Sequence, residues 1–311
     1  MDIITQNAYH RQRMLNYFKK HGATETSLRY KVSRKTIYKW ANRYDGTIES
    51  LKDKSHKPHT SPKAHTIAEI AMVKRALKKV KWLDLLLAYQ RLSSRGYSRS
   101  YGGFRRIAQK LRALKPKKSI AKKKPKPYAK ACYPGQKIQV DVKYVPRECI
   151  ARGTNGGKSY YQFTAVDECT RWTYRQMYDE KSSYCAKQFL EELLRAAPFP
   201  IRMIQTDNGT EFTNALLVIK AKHKTLFEQA LEDMDILYKR IRIATPRHNG
   251  KVERQHRTDM LRFYSNMKMY SLADGRKQLA AYNKRSNSYI KTCLGMKSPN
   301  EVLRDYLAVM F

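Results

Sequence analysis

Apolar side chains recur at helical spacing through the first third of this chain and alternate with polar ones through its middle. Residues 8–45 read as three helices. Met14, Leu15 and Phe18 give the first an apolar stripe, a short helix follows around Glu25 to Tyr30, and Val32-Ser33 makes a turn. Ser33 suits the N-cap of a helix from Arg34 to about Tyr44, because its hydroxyl can accept a first-turn N–H that lacks an intrahelical partner. Ile37, Trp40 and Tyr44 then share one face, and Arg34, Lys35, Thr36, Lys39 and Arg43 point outward. Residues 64–114 repeat the theme, with helices over Ile67 to Val80 and Leu83 to Leu92 and a third whose buried stripe is Tyr101, Phe104, Ala108 and Leu111. Arg105, Arg106, Lys110 and Arg112 form its exposed face, and Gly102-Gly103 weakens its first turn.

The pattern changes at Cys132. Ile138, Val140, Val142 and Tyr144 alternate with Gln139, Asp141 and Lys143, the period of a half-buried strand. A turn is expected over 152–158, and strands over Tyr160–Val166 and Trp172–Met177 complete an antiparallel meander. A helix from about Ser183 to Ala197 and a short buried strand, Ile201–Thr206, come next. Asp207-Asn208-Gly209 then turns into a helical stretch reaching about Asp233, followed by a strand over Ile236–Ile243. A last helix starts at Asn249 as N-cap and runs past Glu253 to about Ser265. This succession is a mixed α/β order. Near the C-terminus, Ser298-Pro299-Asn300-Glu301 is a capping box with Pro at the first helical position.

Charge sharpens the picture. The 311 residues carry 64 Lys and Arg against 26 Asp and Glu, a net of +38. Such an excess repels itself unless polyanions are present, and it favours nucleic acid. Residues 1–130 hold 34 of the basic residues against 7 acids, so the N-terminal part is the main electrostatic anchor. Two short-helix, turn, basic-helix units read as helix-turn-helix modules whose second helices can enter a major groove; in tandem they read a longer site with a gain in avidity. Residues 115–130, with eight Lys, three Pro and no acid, cannot bury a core and are expected to be an extended linker whose Lys122, Lys123 and Lys124 track phosphates. No apolar run is long enough to span a bilayer and no signal peptide is visible, so a soluble, cytoplasmic, nucleoid-associated protein is expected. The five cysteines form no CxxC pair, which disfavours zinc and fits free thiols.

Against this basic background three acids stand out: Asp141 in Val-Asp-Val, Asp207 in Thr-Asp-Asn-Gly-Thr-Glu-Phe, and Glu253 in Asn-Gly-Lys-Val-Glu-Arg. Any one alone is more often a cap, a turn residue or a surface charge. Together they fall where adjacent strand ends and a flanking helix could converge. Mg²⁺ takes oxygen ligands and keeps few protein carboxylates, and two such ions about 4 Å apart can activate a nucleophile and stabilise a leaving oxygen. Asp141 would bridge both ions from the central strand, and Asp207 and Glu253 would each complete one; Mn²⁺ would be able to substitute. Glu211 is expected to orient the Asp207 turn, in which Asn208 and Gly209 also serve, and Asp167 to shape a turn with Thr170 and Arg171. Lys251, Arg254 and Arg257, on the Glu253 helix, are candidates to hold the DNA backbone.

The strand order and these motifs resemble the catalytic core of bacterial insertion-sequence DDE transposases related to retroviral integrases. The resemblance is strong over about residues 132–265, and the preceding modules match the usual layout. It implies a ribonuclease-H-like fold, Asp141, Asp207 and Glu253 as the catalytic acids, and cutting and joining at the ends of a mobile element. The double-stranded DNA partners would be element ends and target, bound by a homo-oligomer, with no membrane involved. The implied division is a helix-turn-helix domain over 1–55, a second over 60–114, a basic linker over 115–131, the core over 132–268 and a C-terminal helical segment over 269–311. One departure is that 45 residues separate Asp207 from Glu253, more than is usual. The family's usual interval would land on Ile243, which cannot bind metal, and the extra residues are expected as a longer helix from Ala215 through Leu231. Two rival classes are a DNA-binding regulator without catalysis and a ribonuclease acting on RNA–DNA hybrids.

Overall fold

The computed structural model describes residues 2–55, 64–112, 130–151, 153, 156–215, 223–242 and 246–310. Its contacts divide the chain into two units, 1–65 and 66–311. Lys122–Lys124, Ile243 and part of the expected 152–158 turn lie outside the described residues.

In the first unit α1 (Ile3–Tyr30) is interrupted at Gly22, whose φ of 73° and ψ of 177° are open to glycine. The interruption yields the two expected helical segments. The third helix, α2 (Arg34–Arg43), begins as expected at Ser33, whose hydroxyl accepts the Thr36 N–H. Met14, Leu15, Ile37, Trp40 and Leu51 form the core. The Arg11 guanidinium lies 3.9 Å over the Trp40 ring and donates to the Leu51 carbonyl and to Asp53.

The second unit opens with α3 (Ile67–Lys79), α4 (Leu85–Ser93) and α5 (Tyr101–Leu111), packed around Val73, Leu77, Ala88, Leu92, Phe104 and Ala108. Helix α4 starts two residues later than expected because the Asp84 carboxylate caps it, accepting the Leu87 N–H. Five strands follow: β1 (Ile138–Tyr144), β2 (Tyr161–Asp167), β3 (Thr173–Tyr178), β4 (Met203–Thr206) and β5 (Leu237–Arg240), in the sheet order β3-β2-β1-β4-β5. Strands β1, β2 and β3 are antiparallel neighbours, while β4 runs parallel to β1 and β5 to β4. This mixed sheet with helices on both faces is the ribonuclease-H-like arrangement expected.

The alternation along β1 decides which helices cover which face. Ile138 and Val140 join Phe163, Ala165 and Ile204 against α6 (Ser183–Ala196) and α7 (Leu226–Asp233), where Phe189, Leu190, Leu193, Phe227 and Leu231 are buried. The opposite face carries Gln139, Asp141 and Lys143 and is covered by α8 (Gly250–Arg262) and α9 (Leu272–Ser286). Met177, Phe263, Tyr264, Leu279 and Tyr282 make a second apolar cluster there. Helix α10 (Pro299–Met310) begins at the expected capping box, with the Ser298 hydroxyl accepting the Glu301 N–H and Glu301 accepting the Ser298 N–H.

Two expectations are corrected. No helix runs from Ala215 through Leu231: Thr225 has extended backbone (φ −69°, ψ 159°) and forms a capping box with Glu228, so α7 is a separate helix that starts at Leu226. Residues 216–222 lie outside the described residues. Asn249 precedes α8 but makes no side-chain cap; its amide instead donates to the Val140 carbonyl on β1 at 3.2 Å.

Beneath α8 lies a buried ion pair that sequence reading did not single out. Arg175 on β3 donates to both oxygens of Asp259 at 2.8 and 3.0 Å, and both side chains are wholly buried. Gln162, Gln255 and Tyr282 also donate to Asp259, and Asn283 and Ser286 of α9 accept from Arg175. Burial works to raise the Asp259 pKa, but the Arg175 charge and these hydrogen bonds outweigh it and hold the carboxyl below its ordinary range.

Candidate active site

Parallel pairing of β1 with β4 sets Ile138 opposite Ile204 and Gln139 opposite Gln205. Two residues further along each chain, on the face covered by α8, come Asp141 and Asp207. Asp141 is held within β1, opposite Thr164 of β2. Asp207 lies just past the end of β4 in a turn its own carboxylate closes by accepting the Gly209 N–H at 3.0 Å. The Asn208 amide donates to the Ile241 carbonyl and ties that turn to the chain leaving β5.

Glu253 arrives on α8, on the solvent side of its first turns. The helix is docked through its N-terminus. Gln139 accepts the Lys251 and Val252 N–H groups and donates to the His248 carbonyl, and Gln205 donates to that same carbonyl. One turn on, His256 Nδ1 approaches Asp141 Oδ2 at 3.5 Å. Burial, then the Lys143 charge, lower the imidazole to about 4, so at neutral pH the ring in this contact is uncharged.

Asp141 feels the other two acids. Burial first, then the charge of Asp207, then those of Glu253 and Glu211, push the Asp141 carboxyl up to about 7. Only its hydrogen bond from the Val142 N–H works the other way. A half-buried carboxylate whose neighbours raise its pKa is the donor chemistry that a divalent cation relieves. Asp141 and Asp207 fit such an ion. Even so, no group of three His, Cys, Asp or Glu side chains among the described residues is drawn close enough to hold a metal. Asp207 and Glu253 therefore act on Asp141 without the three forming a closed ligand cage, and Glu253 is the exposed member.

Glu211 is buried and paired with Lys181 at 3.2 Å; burial raises its pKa, and it packs under Gly209, where an added Cβ would sit 2.6 Å from its oxygens. Asp167 holds its turn by accepting from Thr170 and the Gly135 N–H. Arg34, Lys35, Lys39, Arg105, Arg106, Lys110, Arg254 and Arg257 are exposed and Thr36 is half-buried. Two candidates for DNA contact are occupied within the protein. Arg43 donates to the Lys52 carbonyl and lies over Trp40, and Lys251 pairs with Glu168 at 2.9 Å. Sequence reading named Gln139 only as a polar position of the strand and passed over Gln205; both point at α8, and the signal available was their two-residue step ahead of Asp141 and Asp207. A cleft of about 650 Å³ beside α8, lined by Arg254, Arg262 and Lys291 among others, contains none of the three acids.

Residues 133–246 match the family described as Integrase core domain. This stretch is thus similar to an integrase/transposase-like core. The match includes Asp141 and Asp207 and ends before Glu253. The chain is similar to "Putative integrase ORF3" of Spiroplasma virus SpV1-C74, with 35% identity over 127 residues, covering 38% of this chain and 33% of that protein's length. Among solved structures it is similar to the catalytic core domain of BIV integrase, at 16% identity with a TM-score of 0.40, covering 57% of this chain and 96% of that one. It is also similar to a chain of the simian T-cell lymphotropic virus intasome in complex with the PP2A regulatory subunit B56 gamma, at 16% identity with a TM-score of 0.38, covering 56% and 57%. Among the described residues no helix is long and apolar enough to cross a membrane.

Proposed function

We propose that this chain is a transposase that cuts DNA at the ends of a mobile element and joins those ends to target DNA by direct transesterification. What supports this reading is that Asp141 on β1 feels the charges of Asp207, just past β4, and of Glu253 on α8, which with burial lift it to about 7. Asp141, Asp207 and Glu253 would hold a pair of Mg²⁺ ions, which would neutralise charge at the reacting phosphate, and Mn²⁺ would be able to replace them. In the joining step the element's 3′-hydroxyl oxygen attacks a target phosphorus, a new P–O bond forms, and the bond to the target's own 3′-oxygen breaks. The proton passes from the attacking to the departing oxygen. Exposed Arg254 and Arg257 on α8 hold the phosphate backbone beside the acids. No covalent link to the protein is required.

The division of labour follows the expected domains: modules over 1–55 and 60–114 read the element ends, the linker over 115–131 tracks phosphates, 132–268 does the chemistry and 269–311 buttresses it. Pairing two ends calls for a homo-oligomer on DNA, in a cytoplasm where the nucleoid is the target. Asp141→Asn, Asp207→Asn and Glu253→Gln each abolish nicking and joining of a labelled end duplex, while the footprint on that duplex in Ca²⁺ persists. Joining retained by any of the three removes that residue from the site. A footprint without any cut strand from the unaltered protein in Mg²⁺ supports a DNA-binding regulator instead.

A further inference from the structure

The first N–H groups of a helix have no partner within it, and the residue just before the helix usually supplies an acceptor to the second or third of them. Asn249, in that position, does not. The acceptor comes from the middle of the sheet: Gln139 Oε1 takes the Lys251 N–H at 3.1 Å and the Val252 N–H at 3.4 Å, the second and third positions of α8. The other end of the same amide donates to the His248 carbonyl at 2.9 Å and to Glu168 at 2.6 Å. Glu168 in turn receives the Lys251 ammonium. Gln139 is 1% exposed, so these bonds are made without competition from water. It stands two residues before Asp141 on the same face of β1, and the amides it holds lie one and two residues before Glu253.

We propose that Gln139 is a positioning residue for the catalytic acids, an N-cap supplied by the central strand that sets Glu253 relative to Asp141 and Asp207. This rests on the transposase reading of those acids, and adds that α8 is registered to the sheet by one amide. The side chain touches no substrate; it acts through the first turn of α8. Shifting that turn by about 1 Å is enough to cost on the order of a hundredfold in rate.

The test uses the full chain with Gln139→Met, which keeps the length of the side chain without its hydrogen bonds, and Gln139→Glu/Glu168→Gln, which keeps the acceptor for both N–H groups and swaps donor and acceptor in the Gln139–Glu168 pair without changing its net charge. Amide exchange is followed in the peptide covering the start of α8, and kcat and KM for a labelled end duplex are measured in Mg²⁺. Gln139→Met should speed exchange in that peptide while leaving α6 and β4 unchanged, and should lower kcat about a hundredfold with KM for DNA unmoved. Gln139→Glu/Glu168→Gln should restore protection and most of kcat. Unchanged exchange in Gln139→Met, or equal damage from the two Gln139 variants, overturns the proposal. If the unaltered protein neither cuts nor joins DNA, the functional reading fails on its own, and the exchange measurement still decides whether Gln139 holds α8.

Discussion

Replacing Asp141 with Asn should stabilise the protein while disabling it. In the folded chain burial and the neighbouring carboxylates raise this pKa from 3.8 to about 7. The folded state therefore holds the proton more tightly than the unfolded state. Its contribution is fully present below about pH 4 and is lost as pH rises towards 7. Above pH 7 the ionised group costs up to about 4 kcal/mol, at about 1.4 kcal/mol per unit. Relaxation and solvent screening at this partly open position bring that to about 2 kcal/mol. Asn has the same shape and no charge, so in chelator at pH 8 the variant should melt about 4–8 °C higher in a unit of this size. The gap should narrow to less than half towards pH 5. Millimolar Mg²⁺ should raise the melting temperature of the unaltered protein at pH 8 more than that of the variant. Thermal melts across pH 5–8 check this. A variant no more stable than its parent at pH 8, or a gap that ignores pH, would refute the account of a strained carboxylate cluster.

Asp259→Ala strands a wholly buried Arg175 and should lower stability by about 3–5 kcal/mol in denaturant titrations. Gly135→Ala demands an L residue at φ +79° with its Cβ 1.9 Å from the Pro200 carbonyl oxygen, so it should cost more than the roughly 1 kcal/mol of an ordinary positive-φ substitution, as read by melting temperature. Arg34→Ala and Lys39→Ala, both exposed on α2, should each reduce the slope of log affinity for end DNA against log salt by about one. Arg43→Ala should lower the melting temperature of the first unit, because that guanidinium already serves Trp40 and the Lys52 carbonyl.

Where local chemistry and tertiary demand agree, the elements were legible in advance. Ser33 caps where a Ser before a basic amphipathic helix should, and the alternation from Ile138 to Tyr144 puts Asp141 on the face opposite the core. The antiparallel meander of β1, β2 and β3 followed from three alternating runs, and β4 from a short buried one. What escaped was set by contacts remote in sequence. Thr225 ends any helix before it because a reciprocal bond with Glu228 starts another, a signal present in Thr-Leu-Phe-Glu but masked by the apolar run ahead of it. Asn249 looked like a cap because Asn commonly is one, yet Val140 claims its amide and Gln139 takes over its task. The Arg175–Asp259 pair is invisible to periodicity, since a charged residue on a strand or helix reads as solvent-facing until the covering element is known. The acids were found as residues; how nearly they close on an ion depends on side-chain placement that no spacing encodes.

The Asp84 carboxylate both caps α4 and receives the Arg262 guanidinium at the last residue of α8. The helix bearing Glu253 is thus anchored to the sheet at its start and to the 67–111 helices at its finish. Anyone building chimaeras to retarget this protein should cut the chain at the boundary near residue 65 and treat everything after it as a single cassette. A foreign reading head spliced in place of 67–111 would arrive without its half of that anchor.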